Sequence, residues 1–425
     1  MGFFNFQKKD ELVLLIDIGS SSVGGALVLL SKSGIPKIIF CIREPIKIKF
    51  SDFENKLNIN HVISPSMKSI KIIIDKICKA GLGVPKRFFC VLSSPWHISE
   101  IRSIQFKKSE PFIFTEKLAN DLIKKELLVF LKEIQGPSPA SSAGKLMPQG
   151  IKPIEFKNIQ TKLNGYVTAQ PINQKAKELE MTIFISFTPE IILKNIEEII
   201  SNHFHFESFS GVKPGLNFLS FNTTSFVVIR DLFIEQKDFL LIDIGGEITN
   251  ITTIKKDIPN DIISFPFGYN FFISGISSSL SCSFDEAKSF LFLYKEGHAS
   301  IEVVKKLEPI INKLKTEWLK NFQNSLASIS NNIFIPETIF LTIDQDLADF
   351  FSKIIKTEEF NQYSFTKSKF QVIPMDFNFF NNNVNFQESK TNTLNPVRNF
   401  DPNGVNATGY IFMGIEAIYI NTFFR

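Results

Sequence analysis

Cysteine is scarce in this chain of 425 residues. The four present, Cys41, Cys78, Cys90 and Cys282, lie far apart and form no CxxC pair. That spacing excludes a disulfide framework and a thiolate zinc site, and it reads as buried or free thiols in a reducing compartment. Histidine is also sparse, with five residues and one close pair, His203 and His205. Spacing of two places both on one face of a strand, but no Cys, Asp or third His stands near, so the pair reads as structural. Charge of one sign is missing too: 47 basic residues against 43 acidic leave a net charge of +4, too little for a nucleic-acid surface. No apolar run is long enough to span a membrane. The most apolar stretch, 12–30, carries Asp17 in its middle, where a carboxylate would be costly in lipid. The start, MGFFNFQKKD, lacks the sixth-position Ser or Thr of a myristoylation signal. It leaves only a few aromatic side chains that could rest on a membrane surface beside Lys8 and Lys9. Neither a GxGxxG dinucleotide fingerprint nor a GxxxxGK[ST] phosphate loop occurs.

What the chain does have is length for two or more domains, an ordinary 44% of apolar residues, and a repeat. The 46 Phe read as drift in base composition and carry no functional weight. Leu14-Leu15-Ile16-Asp17-Ile18-Gly19 recurs letter for letter as Leu240-Leu241-Ile242-Asp243-Ile244-Gly245. Each copy is an apolar run ending in an acid and a glycine, followed by small or polar residues and a second β-rich run. Both therefore read as β-hairpins with a tight, Gly-containing turn. Glycine there would let the backbone approach an anion and take positive φ, so that N–H groups point at phosphate oxygens. An Asp just before such a turn would hold Mg²⁺ or its waters, and the metal would bridge to the β- and γ-phosphates. Two such hairpins in two similar halves would clasp a triphosphate between them. The alternative is two core hairpins with no ligand.

These residues resemble the actin/Hsp70/sugar-kinase superfamily and, within it, the bacterial FtsA and PilM proteins. FNFQKKDELVLLIDIGSSSVGGAL is similar to PilM starts, with an IDIGSSSVK-type first phosphate segment, and LIDIGGEITNITTI is similar to the second, DIGxxxT segment. The resemblance implies an α/β, actin-like (ribonuclease-H-like) two-domain fold with ATP and Mg²⁺ as cofactors. It puts Asp17 and Asp243 on the metal side, through water, and Gly19, Ser20, Ser21, Ser22, Gly245, Gly246 and Thr249 along the phosphates. Residues 92–187 look like the subdomain that FtsA inserts into its first half, with an extended stretch at 98–106, a helix at 115–133, an NGY-type turn at Leu163-Asn164-Gly165-Tyr166 and a KELE word at 177–180. The implied organisation is domain I in two parts, 1–92 and 188–235, around an inserted subdomain at 93–187. Domain II follows at 236–425, with a small helical subdomain near 283–332. A flexible loop is expected at 136–150 and a long one at 375–408, with 409–424 closing the fold.

Three departures from the pattern bear on chemistry. The strand 338–342 runs into Ile343-Asp344-Gln345-Asp346 where the family has a Gly-Gly turn against adenine and ribose, and two carboxylates there should repel a nucleotide. Val212-Lys213-Pro214 lacks the acid that would position attacking water. Small residues of the closing helix survive only around Met413-Gly414-Ile415. The expectation is therefore at most a weak actin-like ATPase, binding ATP and GTP with little preference and hydrolysing slowly or not at all. The resemblance implies a cytoplasmic scaffold or adaptor at the inner face of the membrane. An FtsA-like cell-division role stands first, with self-association and an FtsZ-like polymer as partner. A PilM-like role in type IV pilus assembly, holding the cytoplasmic tail of a membrane protein, stands second. A small-molecule kinase stands last, since no general base or GTGxG-like segment is visible. Residues 420–425 carry no amphipathic extension, so membrane contact is expected to be peripheral only.

Overall fold

A computed structural model describes residues 10–32, 34–47, 59–135, 150–204, 215–330, 335–357, 369–376, 383–386 and 410–425. The first half runs β1 (Glu11–Ile18), β2 (Ser22–Leu30), β3 (Lys37–Pro45), α1 (Ile59–Ala80) and β4 (Arg87–Leu92). A module follows: β5 (Ile98–Ile113), α2 (Glu116–Gln135), β6 (Ile151–Leu163), β7 (Tyr166–Val167) and β8 (Lys175–Pro189). The chain then returns through α3 (Glu190–Phe204), β9 (Leu216–Ser220) and α4 (Phe221–Leu232). The second half holds β10 (Phe239–Ile244), β11 (Thr249–Lys255), β12 (Ile258–Phe265), α5 (Asn270–Leu280), α6 (Phe284–Lys295) and α7 (Ile301–Ser330). It continues with β13 (Thr338–Ile343), α8 (Gln345–Thr357) and β14 (Gln371–Pro374), before β15 (Asn385–Phe386) and α9 (Tyr410–Phe424) end the described chain.

The sequence repeat is a repeat of topology. One sheet has the order β15-β3-β2-β1-β4-β9 and the other β12-β11-β10-β13-β14. In each, the LLIDIG strand pairs antiparallel with its hairpin partner on one side and parallel with a strand reached through a crossover on the other. Side chains alternate across a strand, and the two copies alternate in step. Leu14, Ile16 and Ile18 face the core under α1 and α3, and Leu240, Ile242 and Ile244 face the core under α5 to α8. Val13, Leu15 and Leu241 face a third core, shared by both sheets and filled by α4 and α9. Asp17 and Asp243, two positions beyond Leu15 and Leu241, fall on this shared side by the same parity. Helix α9 is apolar on almost every face, as a helix wedged between two sheets must be: Ile411, Met413, Ile415, Ala417 and Ile420 are all fully buried.

The inserted module has a core of its own, built from Ile104, Phe114, Phe130, Leu179, Met181 and Ile185 among others. Its sheet has the order β5-β8-β6-β7. Asn164 (φ 51°) and Gly165 (φ 82°) make the β6–β7 turn, the Asn-Gly pair that a two-residue hairpin with two positive φ values demands. The expected elements thus recur with ends moved by a few residues, and the extended stretch runs on to Ile113. One expectation is corrected. His203 lies in the last turn of α3 rather than on a strand; its Nε2 meets Asp75 Oδ1 at 2.9 Å and its Nδ1 the Ile199 carbonyl at 2.7 Å. His205 and Val212-Lys213-Pro214 lie outside the described residues, as do most of 375–408 and all but the last residue of the loop at 136–150.

Candidate functional site

Because each LLIDIG strand ends at the same edge of its sheet, the two turns meet. Asp17, Gly19, Ser20, Ser21, Ser22, Asp243, Gly245 and Gly246 line one cleft, joined by Arg43, Ser93, Tyr269, Asp344 and Phe412. The turns are built alike: Gly19 N–H donates to the Ser22 carbonyl (3.1 Å) and Gly245 N–H to the Ile248 carbonyl (2.9 Å). Thr249 does not line the cleft. Its hydroxyl donates to the Phe267 carbonyl at 2.7 Å, fastening the strand after the turn to the loop before α5. Nor do Gly19, Gly245 and Gly246 take positive φ. Gly246 is required by proximity instead: a Cβ there would lie 2.7 Å from Ser21 Cβ and 3.0 Å from Ser20 Oγ.

The two acids are neutralised differently, and the register shows why. In the second hairpin Asp243 pairs with Asn250, whose Nδ2 donates to its Oδ2 at 3.3 Å, while Thr342 Oγ1 donates to Oδ1 at 3.0 Å. In the first hairpin Asp17 pairs with Gly24, and Gly24 pairs in turn with Arg43 of β3. Arg43 reaches across the strand without a side chain and binds Asp17 Oδ2 through Nη2, and its Nη1 donates to Ser22 Oγ at 2.8 Å. Burial alone would lower the Arg43 guanidinium, but Asp17, Asp344 and Glu416 together raise it. Burial pushes Asp17 up and Arg43 pulls against it. Glu416 of α9 is fully buried, and neither of its oxygens meets a donor. Burial, reinforced by the charge of Asp17, holds its carboxyl well above the usual range, so it keeps a proton. Arg43, Glu416 and Tyr269 belong to no motif visible in the sequence. Two signals are present: Gly24 stands where the IDIGSSSVK pattern has Lys, and Glu416 is the lone charged residue of its helix.

Across the cleft the halves touch directly. Glu247 N–H donates to Ser20 Oγ at 3.1 Å, Ser94 Oγ donates to Asn250 Oδ1 at 3.0 Å, and Ser21 Oγ is hydrogen-bonded to the Tyr269 hydroxyl. Trp96 Nε1 donates to the Gly19 carbonyl at 2.7 Å and fixes the first turn from behind. Asp344 stands at the turn after β13 and adds negative charge to the cleft. These residues do not fit a magnesium–triphosphate. The space between the turns is taken by Ser20, Ser21 and Gly246, the Asp17 carboxylate is bound by Arg43, and the base-side turn carries a carboxylate. No hydrolytic step is assigned to them.

Burial raises Asp243 to about 6, against hydrogen bonds from Thr342 and Asn250 that lower it, with Asp17 adding to the rise. The folded chain therefore holds that proton more tightly than the unfolded chain does. This stabilising contribution is complete below about pH 4 and is lost as pH rises through about 6. Asp243→Asn removes the buried charge but leaves Asn250 Nδ2 facing an amide. At pH 8 it should stabilise the chain by about 1–2 kcal/mol, roughly 3 from the shift less about 1 for the lost bond. Denaturant melts at pH 8 and pH 4 check this: at the lower pH the gain should give way to a loss of up to about 1 kcal/mol from the missing bond.

No protein-family model and no curated protein matches the sequence. Solved structures do match. The chain resembles a chain of a PilM–PilN type IV pilus biogenesis complex at 14% identity, covering 96% of each, with a TM-score of 0.56. It is also similar to the ethanolamine utilization protein EutJ from Carboxydothermus hydrogenoformans (11% identity, 83% of this chain and 84% of that one, TM-score 0.38). A Bacteroides thetaiotaomicron protein with an actin-like ATPase fold and unknown function matches at 11% identity over 90% of this chain and 96% of its own, with a TM-score of 0.37.

Proposed function

We propose that this chain, a protein of the actin-like ATPase fold, works as an assembly adaptor of the pilus type that holds a segment of a partner protein on its inserted module. The observation that carries the reading is the contrast between the two candidate surfaces. The cleft is filled by the protein's own groups, whereas the margin of the module is open. Strand β7 pairs only with Lys162 and Leu163 of β6, and among the described residues no other strand pairs with that edge. On it Tyr166 is 78% exposed and Val167 65%, and Phe156, further along β6 where β7 does not reach, is 52% exposed. Unpaired backbone groups beside exposed aromatic and β-branched side chains are what an extended segment of another chain adds to. The whole-length likeness to a chain found in complex with PilN supports the pilus reading, which the sequence placed second to a division scaffold. Among the described residues no helix is long and apolar enough to cross a membrane, so the partner's own segment would supply the link to one. A photo-crosslinking residue placed at Tyr166 in living cells tests the reading. The expected adduct is the cytoplasmic tail of an inner-membrane protein, lost when Val167→Glu is added. Adducts absent from Tyr166 but formed from a probe in α6 would move the docking surface elsewhere.

A further inference from the structure

We infer that Arg43 is a built-in cation that stands in the cleft in place of an external metal and nucleotide, so that the two halves stay closed without a ligand. Three elements that lie far apart in sequence bring a carboxyl near this one guanidinium: Asp17 from β1 of the first half is bound to it, Asp344 from the turn after β13 of the second half lines the same cleft, and the buried Glu416 comes from the helix between them. Nothing in local structure would gather them. Arg43 reaches Asp17 because Gly24 leaves a lane across β2; a Cβ there would sit 3.1 Å from Arg43 Nη2 and 3.2 Å from Met413 Sδ. A buried carboxylate needs a partner of opposite charge, and in this cleft the partner is a side chain of the same chain. It cannot dissociate, and it needs neither metal nor nucleotide concentration to hold it. Around it, Ser20 with the Glu247 N–H, Ser21 with Tyr269, and Ser94 with Asn250 join the two halves directly. The inference is independent of which partner the module holds, because Arg43 and the three carboxyls around it lie outside β5 to β8.

The test uses the full-length chain and its Arg43→Ala variant, with melting followed in Mn²⁺, in Mg²⁺ and in Mg²⁺ with ATP. The wild type should melt at the same temperature in all three and show no heat of ATP binding by calorimetry. Arg43→Ala removes the tethered charge and leaves three carboxyls around a hole beside both turns. It should melt lower, and Mn²⁺ at about 100 times its Kd should restore several degrees that Na⁺ does not. A wild-type melting temperature that rises with Mg²⁺ and ATP would overturn the inference, as would an alanine variant that melts like wild type or ignores Mn²⁺. Should the alanine variant not fold, Arg43→Lys decides. One ammonium cannot span Asp17 and Ser22, which the guanidinium fork reaches together, so the variant should fold and melt well below wild type. Melting unchanged in Arg43→Lys would show that the fork does not hold the cleft.

Discussion

Removal of residues 100–185, with Ser99 joined to Ser186 by a short Gly/Ser linker, should leave a cooperatively folding chain that captures no partner. The ends are already adjacent: Ser99 and Ser186 face each other in the β5–β8 pair, with their hydroxyl oxygens 2.6 Å apart. Cutting there rather than at Ser94 keeps Trp96, which is fully buried in the core under α1 and α3 and bonds the first turn. The module's own core goes with it, apart from Ile98 and Phe187, and every fully buried residue of the other cores stays. The expected cost includes three contacts made across the cut. Ser220 Oγ loses the acceptor Glu155 (2.8 Å), Lys157 leaves the Tyr419 and Phe423 rings of α9, and Ile154 leaves the first-half core. Hydrogen bonds to charged groups contribute about 1.5–3 kcal/mol each, so the melting temperature should fall without loss of the transition. Circular dichroism melts and affinity capture from cell extracts check both halves of the expectation. A truncated chain that still captures the same partners and forms the same oligomers would place the adaptor surface outside the module.

The largest loss of stability from one side chain should come from Trp318→Ala. Trp318 is fully buried on α7, stacked on Phe322 at 5.2 Å between ring centres and edge-on to Phe265 and Phe351. Deleting so large a ring from a core of that packing costs about 3–5 kcal/mol. Its Nε1 also donates to the Phe267 carbonyl at 3.0 Å, the acceptor that Thr249 uses. Trp318 and Thr249 thereby pin the loop before α5, where Gly268 rests on the Gly245-Gly246 turn; a Cβ on Gly268 would lie 2.2 Å from the Gly245 carbonyl oxygen. Damage at Trp318 should therefore reach the cleft. Trp318→Phe keeps a ring and leaves the carbonyl to Thr249, so it should cost about 1–2 kcal/mol, a lost hydrogen bond plus some packing. Urea unfolding of the two variants separates the terms. Equal losses would mean that the hydrogen bond, not the ring, carries the effect.

The sequence by itself determined the parts of this protein that depend on local order. A hexapeptide printed twice implied two equal strand–turn–strand units, and the two-residue alternation of side chains was enough to put Asp17 and Asp243 on matching faces. Asn164-Gly165 declared its own turn, because few other residue pairs take two positive φ values cheaply. The helices of 283–331 announced themselves by apolar spacing, even with Pro309 inside α7. What lay beyond the sequence was every contact that needs two distant segments at once. Arg43 meets Asp17 only through the register of three strands and the missing side chain of Gly24. Glu416 reaches the same point only because α9 is driven between the sheets by its apolar surface. The turn glycines looked like hinges of conformation and are points of close approach, and Thr249 looked like a phosphate ligand and is a strut to Phe267. Periodicity fixes which face a residue takes, since it is a property of one strand or helix. Whether that face meets a ligand or a neighbouring side chain depends on how closely the sheets pack, and here the tertiary structure set a guanidinium in the cleft.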